Sequence, residues 1–244
     1  MSLKRGVRQA LLNRPDPFAN DVVLFARGNG ADNGTAFTDS SRYNHSVTRQ
    51  GSNIVTSTLQ SKFGGSAIYG ATSVVDSCLV IPQNSAFDIG TKNYTIEYWY
   101  YRTGTVYAGG APTLANIFTL DGLDFPLAIY DQSALPMAYA WGSNSVWTNN
   151  AFVNSASATS LNNWQHHAWC RKDGFMRSFV NGQLFSTVAD SSTIGTPVGN
   201  LSLFGSRNSA GTYGNILGFM NHFRFTMAGR YDRPFDPERD TFMR

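Results

Sequence analysis

An all-β fold, a sandwich of two antiparallel sheets preceded by an extended N-terminal arm, is what this sequence predicts. Three observations carry the prediction. After Asp21 the chain is a series of about fifteen short apolar or alternating runs, with turn signals roughly every 8 to 12 residues. Charged residues are only 14% of the chain, against roughly a quarter in an average domain, so Ser, Thr, Asn, Gln and Gly must supply the polar surface. One hairpin is legible outright: "FVNGQLF" sets Asn181-Gly182 between two apolar runs, and Asn-Gly tolerates positive φ at both central positions of a type I′ turn.

Taken in order, the expected strands are "DVVLFAR" (21–27), "HSVTRQ" (45–50), "NIVTS" (53–57), "SAIYGA" (66–71), "CLVIP" (78–82) and "YTIEYWYYR" (94–102). The second half adds "LANIFTL" (114–120), "PLAIYD" (126–131), "MAYAWG" (137–142), "VWTNNAFV" (146–153), "WQHHAWCR" (164–171), "FMRSFVN" (175–181), "QLFSTV" (183–188), "NLSLFG" (200–205) and "ILGFMNHFRF" (216–225). Asp173-Gly174 marks a second tight turn, so residues 164 to 188 read as a three-strand meander. No linker of useful length interrupts these runs after residue 20, and residues 21–244 are read as one domain.

The arm is residues 1–20. Lys4, Arg5, Arg8 and Arg14 precede the first acid, so of the formal net charge of +3 the basic part belongs to the arm and the body is near neutral. Leu3, Val7, Leu11, Leu12 and Phe18 are its apolar residues, and Pro15 and Pro17 end any helical turn. Four charges are too few for specific nucleic-acid binding. The expected role is docking: the apolar residues bury against a neighbouring subunit while the basic ones pair with acidic surface. Removing residues 1 to 18 is expected to leave a folded body that no longer joins its partner.

Cys78 and Cys170 have apolar neighbours and no CxxC spacing, which reads as two buried thiols with a single bridge left open. No apolar run approaches the ~20 residues that span a membrane, and the N-terminus lacks the apolar core of a signal peptide. The expectation is a soluble chain made in a cytoplasm.

At the level of motifs, "FTDSSRYNHSVT", "SKFGGSAIYGA", "CLVIPQNSAFDIGTKNYTIEYWYYR", "NNWQHHAWCRKDGFMRSFVNGQLF" and "GFMNHFRFTMAGRYDRPFDP" together resemble the laminin-G-like, concanavalin A-like jelly-roll domains, from about Asp21 to about Pro237. The most specific pieces are F-x-I-E-x-W-x-x-R, here Tyr94, Ile96, Glu97, Trp99 and Arg102, and W-x-H-x-A-x-x-R followed by the V-N-G hairpin. The closing "FRFTMAGRYDRPFDP" is similar to the R-h-T-x-G-x-A-R-Y ending of bacteriophage versions. The resemblance implies the jelly-roll strand order and a non-enzymatic virion structural protein: a capsid-decoration, tail or fibre surface component, made in the host cytoplasm. Its partners would be other virion proteins and further copies of itself, with no specific nucleic acid and no membrane. The alternative it implies is a carbohydrate-binding receptor-recognition module of a tail fibre, meeting host-surface glycans through Trp141, Trp147, Tyr107 and Tyr213. No cofactor is implied, except that relatives hold calcium in rim loops, where Asp32, Asn33, Asp39 and Asp76 are the hard oxygen ligands.

Enzymatic readings fit the residues poorly. Glycosidases need paired carboxylates, and concanavalin A-type enzymes place them on alternate positions of one strand. The chain has two glutamates, Glu97 and Glu238, and no carboxylate at 95, 99 or 101. Asp121 and Asp124 read as turn formers. No G-x-S-x-G elbow is present for a serine nucleophile. His166 and His167 are consecutive, so in a strand they point to opposite faces, while His166 and Cys170 stand about 13 Å apart, too far for a shared zinc. The bland reading of such histidines is hydrogen bonding within the sheet or exposure to solvent.

Overall fold

Every expected strand forms. The strands are β1 (Val22–Ala26), β2 (Phe37–Thr38), β3 (Ser46–Gln50), β4 (Ile54–Ser57), β5 (Ala67–Gly70), β6 (Cys78–Ile81), β7 (Tyr94–Arg102), β8 (Leu114–Leu120) and β9 (Leu127–Gln132). They continue with β10 (Ala138–Ser143), β11 (Val146–Phe152), β12 (Trp164–Lys172), β13 (Phe175–Val180), β14 (Gln183–Ala189), β15 (Leu201–Leu203), β16 (Tyr213–Gly214) and β17 (Gly218–Thr226). The computed structural model describes residues 15–71, 77–104, 114–120, 127–132, 138–143, 146–152, 160–205, 213–214 and 217–240, with the backbone alone for 114–116, 130–132, 138–143, 146–152, 213–214 and 239–240. The two strands that sequence reasoning did not anticipate, β2 and β16, are two residues long and carry no periodicity to read.

The strands build two sheets. One has the order β14-β13-β12-β7-β17-β5-β4 with β1 also on β17, and the other β11-β10-β9-β8-β15-β6-β3-β2 with β16 on β8. All ladders are antiparallel except the short β16–β8 pairing. Both turns of the meander have positive φ at both central residues, 53° and 77° at Asp173 and Gly174, 49° and 75° at Asn181 and Gly182, which matches the right-handed strand twist. β17 is the hinge of its sheet. Its first residues pair with β5 and its last with β1, and between them the register on β7 shifts from Asn221 to Arg224. His222, with φ of 52°, sits in that bulge.

Alternation sorts side chains to two destinations. Inward, Leu24, Ile54, Leu79, Ile96, Tyr98, Phe118, Ile129, Trp169, Leu203, Phe223 and Phe225 form the core between the sheets. Outward from β12 and β13, Ala168, Cys170 and Phe179 form a smaller cluster under Tyr231 and Phe235. The segment after β17 is thus a strap laid over the outer face of the first sheet. Tyr231 and Phe235 stack at 3.7 Å, and the Phe235 amide donates to the Gly182 carbonyl at 3.0 Å. Gly182 is required there, because any Cβ would meet the Phe235 carbonyl.

The last residues of the arm also lie on this face. Asp16 accepts from Arg224 at 3.2 Å and from Arg230 at 2.9 Å, and the Arg230 guanidinium lies 4.9 Å from the centroid of the Phe18 ring. Packing against the body therefore begins before Asp21. Leu3, Lys4, Arg5, Val7, Arg8, Leu11, Leu12 and Arg14 lie outside the described residues. Cys78 and Cys170 are buried thiols on different sheets, not bridged to each other.

Candidate functional site

Two places in the fold concentrate chemistry-bearing side chains: a sealed charge cluster under the strap and an open groove at the rim.

The sealed cluster is centred on Glu97. On β7 it points outward, opposite Ala168 of β12 and Arg224 of β17. Arg224 donates to Glu97 Oε1 from Nε at 2.9 Å and from Nη2 at 2.6 Å, and the Tyr231 hydroxyl donates to Oε2 at 2.8 Å. Arg230 Nε stands 3.3 Å from Oε1. His166 Nε2 is 3.2 Å from Oε2, close enough for a charge contact but not aligned as a hydrogen bond. Asp16 then supplies the second negative charge for two arginines. Burial alone would raise the Glu97 carboxyl, but Arg224, His166 and Arg230 outweigh it and hold it well below the usual carboxylate range. Burial lowers His166 against the pull of Glu97, and burial with Glu97 raises the Tyr231 phenol. Glu97 and His166 have no exposed surface, so no substrate reaches them. The cluster bolts the arm, β7, β12, β17 and the strap together.

The two histidines do face opposite ways, as strand geometry requires, but neither faces solvent. His166 packs against Trp99 and Phe235. His167 lies in the core against Tyr98 and Tyr100, and neither of its ring nitrogens has a hydrogen-bond partner. Burial and the neighbouring His166 push its pKa down to about 3. The expectation of hydrogen bonding or exposure fails here because both faces of β12 are covered.

The groove, about 310 Å³ in volume, lies where β1, the loop before β3 and the loop between β6 and β7 meet. Val23, Ala86 and Met227 give it an apolar floor, and Asn20, Asp21, Arg42, Tyr43, Asn84, Ser85 and Lys92 its polar walls. Each wall is held from behind. Asp39 accepts from the amides of Phe25, Ser41 and His45 and from the Ser41 hydroxyl, at 2.7 to 2.9 Å, which folds the loop carrying Arg42 and Tyr43. Asn44, with φ of 47°, closes that turn. His45 bonds the Val23 carbonyl and stacks on the Tyr43 ring, which stays 38% exposed. Opposite, Asn84 caps its own turn by accepting from the Ala86 amide. Arg171, buried, donates to the carbonyls of Gly90, Lys92 and Ser192 and to Asp190, fixing the backbone that carries Lys92. Sequence reading did not single out these wall residues. The available signal was "DSSRYNHS", an aromatic and a cation in a run of turn formers.

Of the expected glycan contacts, Trp141 and Trp147 fall on β10 and β11, where only the backbone is described, as with Tyr213 on β16. Trp141 pairs with Asn149 at the sheet edge. Tyr107 lies outside the described residues. Of the calcium candidates, Asp76 lies outside them too. Asp32 and Asp39 serve different loops: Asp32 accepts from the Thr58 amide at 2.8 Å and from Asn33 at 3.2 Å, whereas Asp39 is filled by the four donors above. Among the described residues no group of three or more His, Cys, Asp or Glu is placed to hold a metal ion. Glu238 is exposed and paired with Lys62, remote in role from Glu97, so no glutamate pair forms. No described helix is long and apolar enough to cross a membrane.

Comparison with known proteins extends these findings. Among solved structures, the chain is similar to the binding domain of Botulinum neurotoxin DC in complex with rat synaptotagmin II, at 14% identity and a TM-score of 0.64, covering 93% of this chain and 52% of that one. It is similar to the binding domain of Paraclostridial Mosquitocidal Protein 1, at 10% identity and a TM-score of 0.67, with the same coverages. A third is the binding domain of Botulinum Neurotoxin DC in complex with SialylT, at 15% identity and a TM-score of 0.63, covering 93% and 52%. At such identities the likeness is one of fold, and this chain spans about half the length of those chains. A search of curated proteins finds no match. The Laminin_G_3 family model, described as the concanavalin A-like lectin/glucanases superfamily, matches residues 75–226. That stretch is more than half of the chain and carries both the Glu97 strand and the Asn-Gly hairpin, and by it the chain belongs to the concanavalin A-like lectin/glucanase superfamily.

Proposed function

We propose that this chain is a non-enzymatic recognition module that binds carbohydrate at the rim of its sandwich. The observation that carries the reading is the groove, in which amides, a hydroxyl and a half-exposed tyrosine ring surround an apolar floor on backbone held rigid from behind. That mixture suits sugars, whose hydroxyls want planar amide and carboxylate partners and whose C–H faces want aromatic or aliphatic surface. The catalytic alternative inside the same superfamily loses support because Glu97 is sealed and its oxygens are taken. The solved neighbours are binding domains, one of them in complex with SialylT, which agrees with a recognition role.

The virion reading, a bacteriophage capsid-decoration or fibre protein docked through its arm, draws on the closing motif and on arm residues that lie outside the described ones. Receptor recognition on a fibre is compatible with both.

A glycan array probed with the full chain, once with calcium and once with a chelator, tests the proposal. Binding is expected, with loss on Tyr43→Ala or Asn84→Ala and with the fold intact by circular dichroism. Loss confined to Trp141→Ala or Trp147→Ala would move the site to the β10–β11 edge. An array with no hits in either condition rules the reading out.

A further inference from the structure

The groove has a charge signature that a neutral sugar does not need. Arg42 and Lys92 are two cations on one lining, and among the described residues neither is in an ion pair. Their fixed contacts are with neutral groups. Arg42 donates to the Tyr43 hydroxyl at 3.0 Å with its guanidinium 5.0 Å from that ring's centroid, and Lys92 donates to the Asp88 carbonyl at 2.8 Å. Of the other described surface cations, Lys62 pairs with Glu238 and Lys172 with Asp232, while Arg49 and Arg177 bond backbone carbonyls, so what distinguishes Arg42 and Lys92 is that they share one groove. Asp21 is the one acid on the lining, so the lining carries a net positive charge.

Two cations against one acid leave the groove with a positive potential, which favours an anion seated there. Arg42 keeps donors beyond its bond to Tyr43, in the planar fork that matches a carboxylate or sulfate. Lys92 offers a compact point charge for the same group or its neighbour. Around them Asn20, Ser85 and Asp21 remain for ring hydroxyls, and Val23, Ala86 and Met227 for an apolar face.

Resting on the recognition reading above, we infer that the groove is selective for acidic glycans, those bearing a carboxylate or a sulfate, with Arg42 and Lys92 as the partners of that anionic group. The shared chemistry is an oxyanion on a sugar ring, and the two sources are separated by the probes.

The test is calorimetric or NMR titration of the full chain with four probes: a uronic or sialic acid glycan, its neutral methyl ester, a sulfated glycan, and inorganic sulfate. Selective binding of at least one acidic glycan is expected, weakened as salt is raised and about tenfold or more in each of Arg42→Gln and Lys92→Gln. Arg42→Lys should recover part of the loss by restoring charge without the fork. Both sites are exposed, so melting temperature should stay at the wild-type value. Equal binding of acid and ester, unchanged in the double variant, overturns the inference and leaves a neutral-glycan module standing. Inorganic sulfate binding as tightly as the sulfated glycan also overturns it, since the sugar then contributes nothing. No binding of any glycan ends both readings.

Discussion

Two residues on adjacent strands, Glu97 and His167, show how much a single side chain is asked to carry here. Glu97 neutralises two buried arginines. Removing one partner of such a group leaves uncompensated buried charge, so Glu97→Gln is expected to cost about 3–5 kcal/mol in urea denaturation. Its folded pKa lies below the unfolded value of 4.5. The stability it contributes is therefore complete above that pH and is withdrawn as the solution is made more acid. The glutamine variant should show a flatter acid limb. His167 behaves in the same direction over a higher window. Because its pKa falls from 6.5 to about 3 on folding, the buried ring carries no proton-linked penalty above pH 6.5, and stability is lost as pH drops toward 3. With both ring nitrogens buried and unpartnered, His167→Leu should raise stability by about 1–3 kcal/mol. The gain should grow as pH falls from 6.5; a gain that is the same at every pH would mean that the imidazole does not titrate.

Among elements, the strap and the end of the arm are where structure departs most from what sequence alone made legible. Strands could be placed to within two residues because period-two alternation and Gly or Asn punctuation are local signals. The Glu97 motif and the closing motif were equally visible, yet their meaning was not. The glutamate of "TIEYWYY" and the arginines and tyrosine of "FRFTMAGRY" are the halves of one ion cluster, joined across a sequence separation of 127 between Glu97 and Arg224. Nothing local in either run announces the other. The same holds for Asp16, which stands between two prolines and proves to be the counter-charge for Arg224 and Arg230. Deletion through Phe18, or Asp16→Asn alone, should therefore lower the melting temperature by several degrees relative to deletion of residues 1 to 14 or to the unsubstituted chain, respectively. Equal melting of the two truncations would show that the Asp16 contacts add nothing.

For the molecule as a whole, fold class followed from composition and periodicity, while strand order followed only from resemblance, because spacing does not encode which strands become neighbours. The groove at the rim was the least legible part. Its walls come from the ends of β1, the loop before β3 and the loop before β7, and only folding brings Asn20, Arg42 and Lys92 around one floor. Of the aspartates that sequence offered as calcium ligands, the two that are described accept hydrogen bonds from backbone amides. Asp39 already accepts four donors and Asp32 accepts the Thr58 amide. The melting temperature is accordingly expected to be the same in calcium as in a chelator, and a shift of several degrees would show the rim aspartates to be ligands.

The pairing of Asp16 with Arg230, and of Arg230 with Glu97, has a mechanical consequence. A load applied between the segment that precedes β1 and the segment that follows β17 would pass through that cluster and the strap, not through the ladders of either sheet. Pulled by the two ends, the sandwich would be bypassed until the bolt gives way.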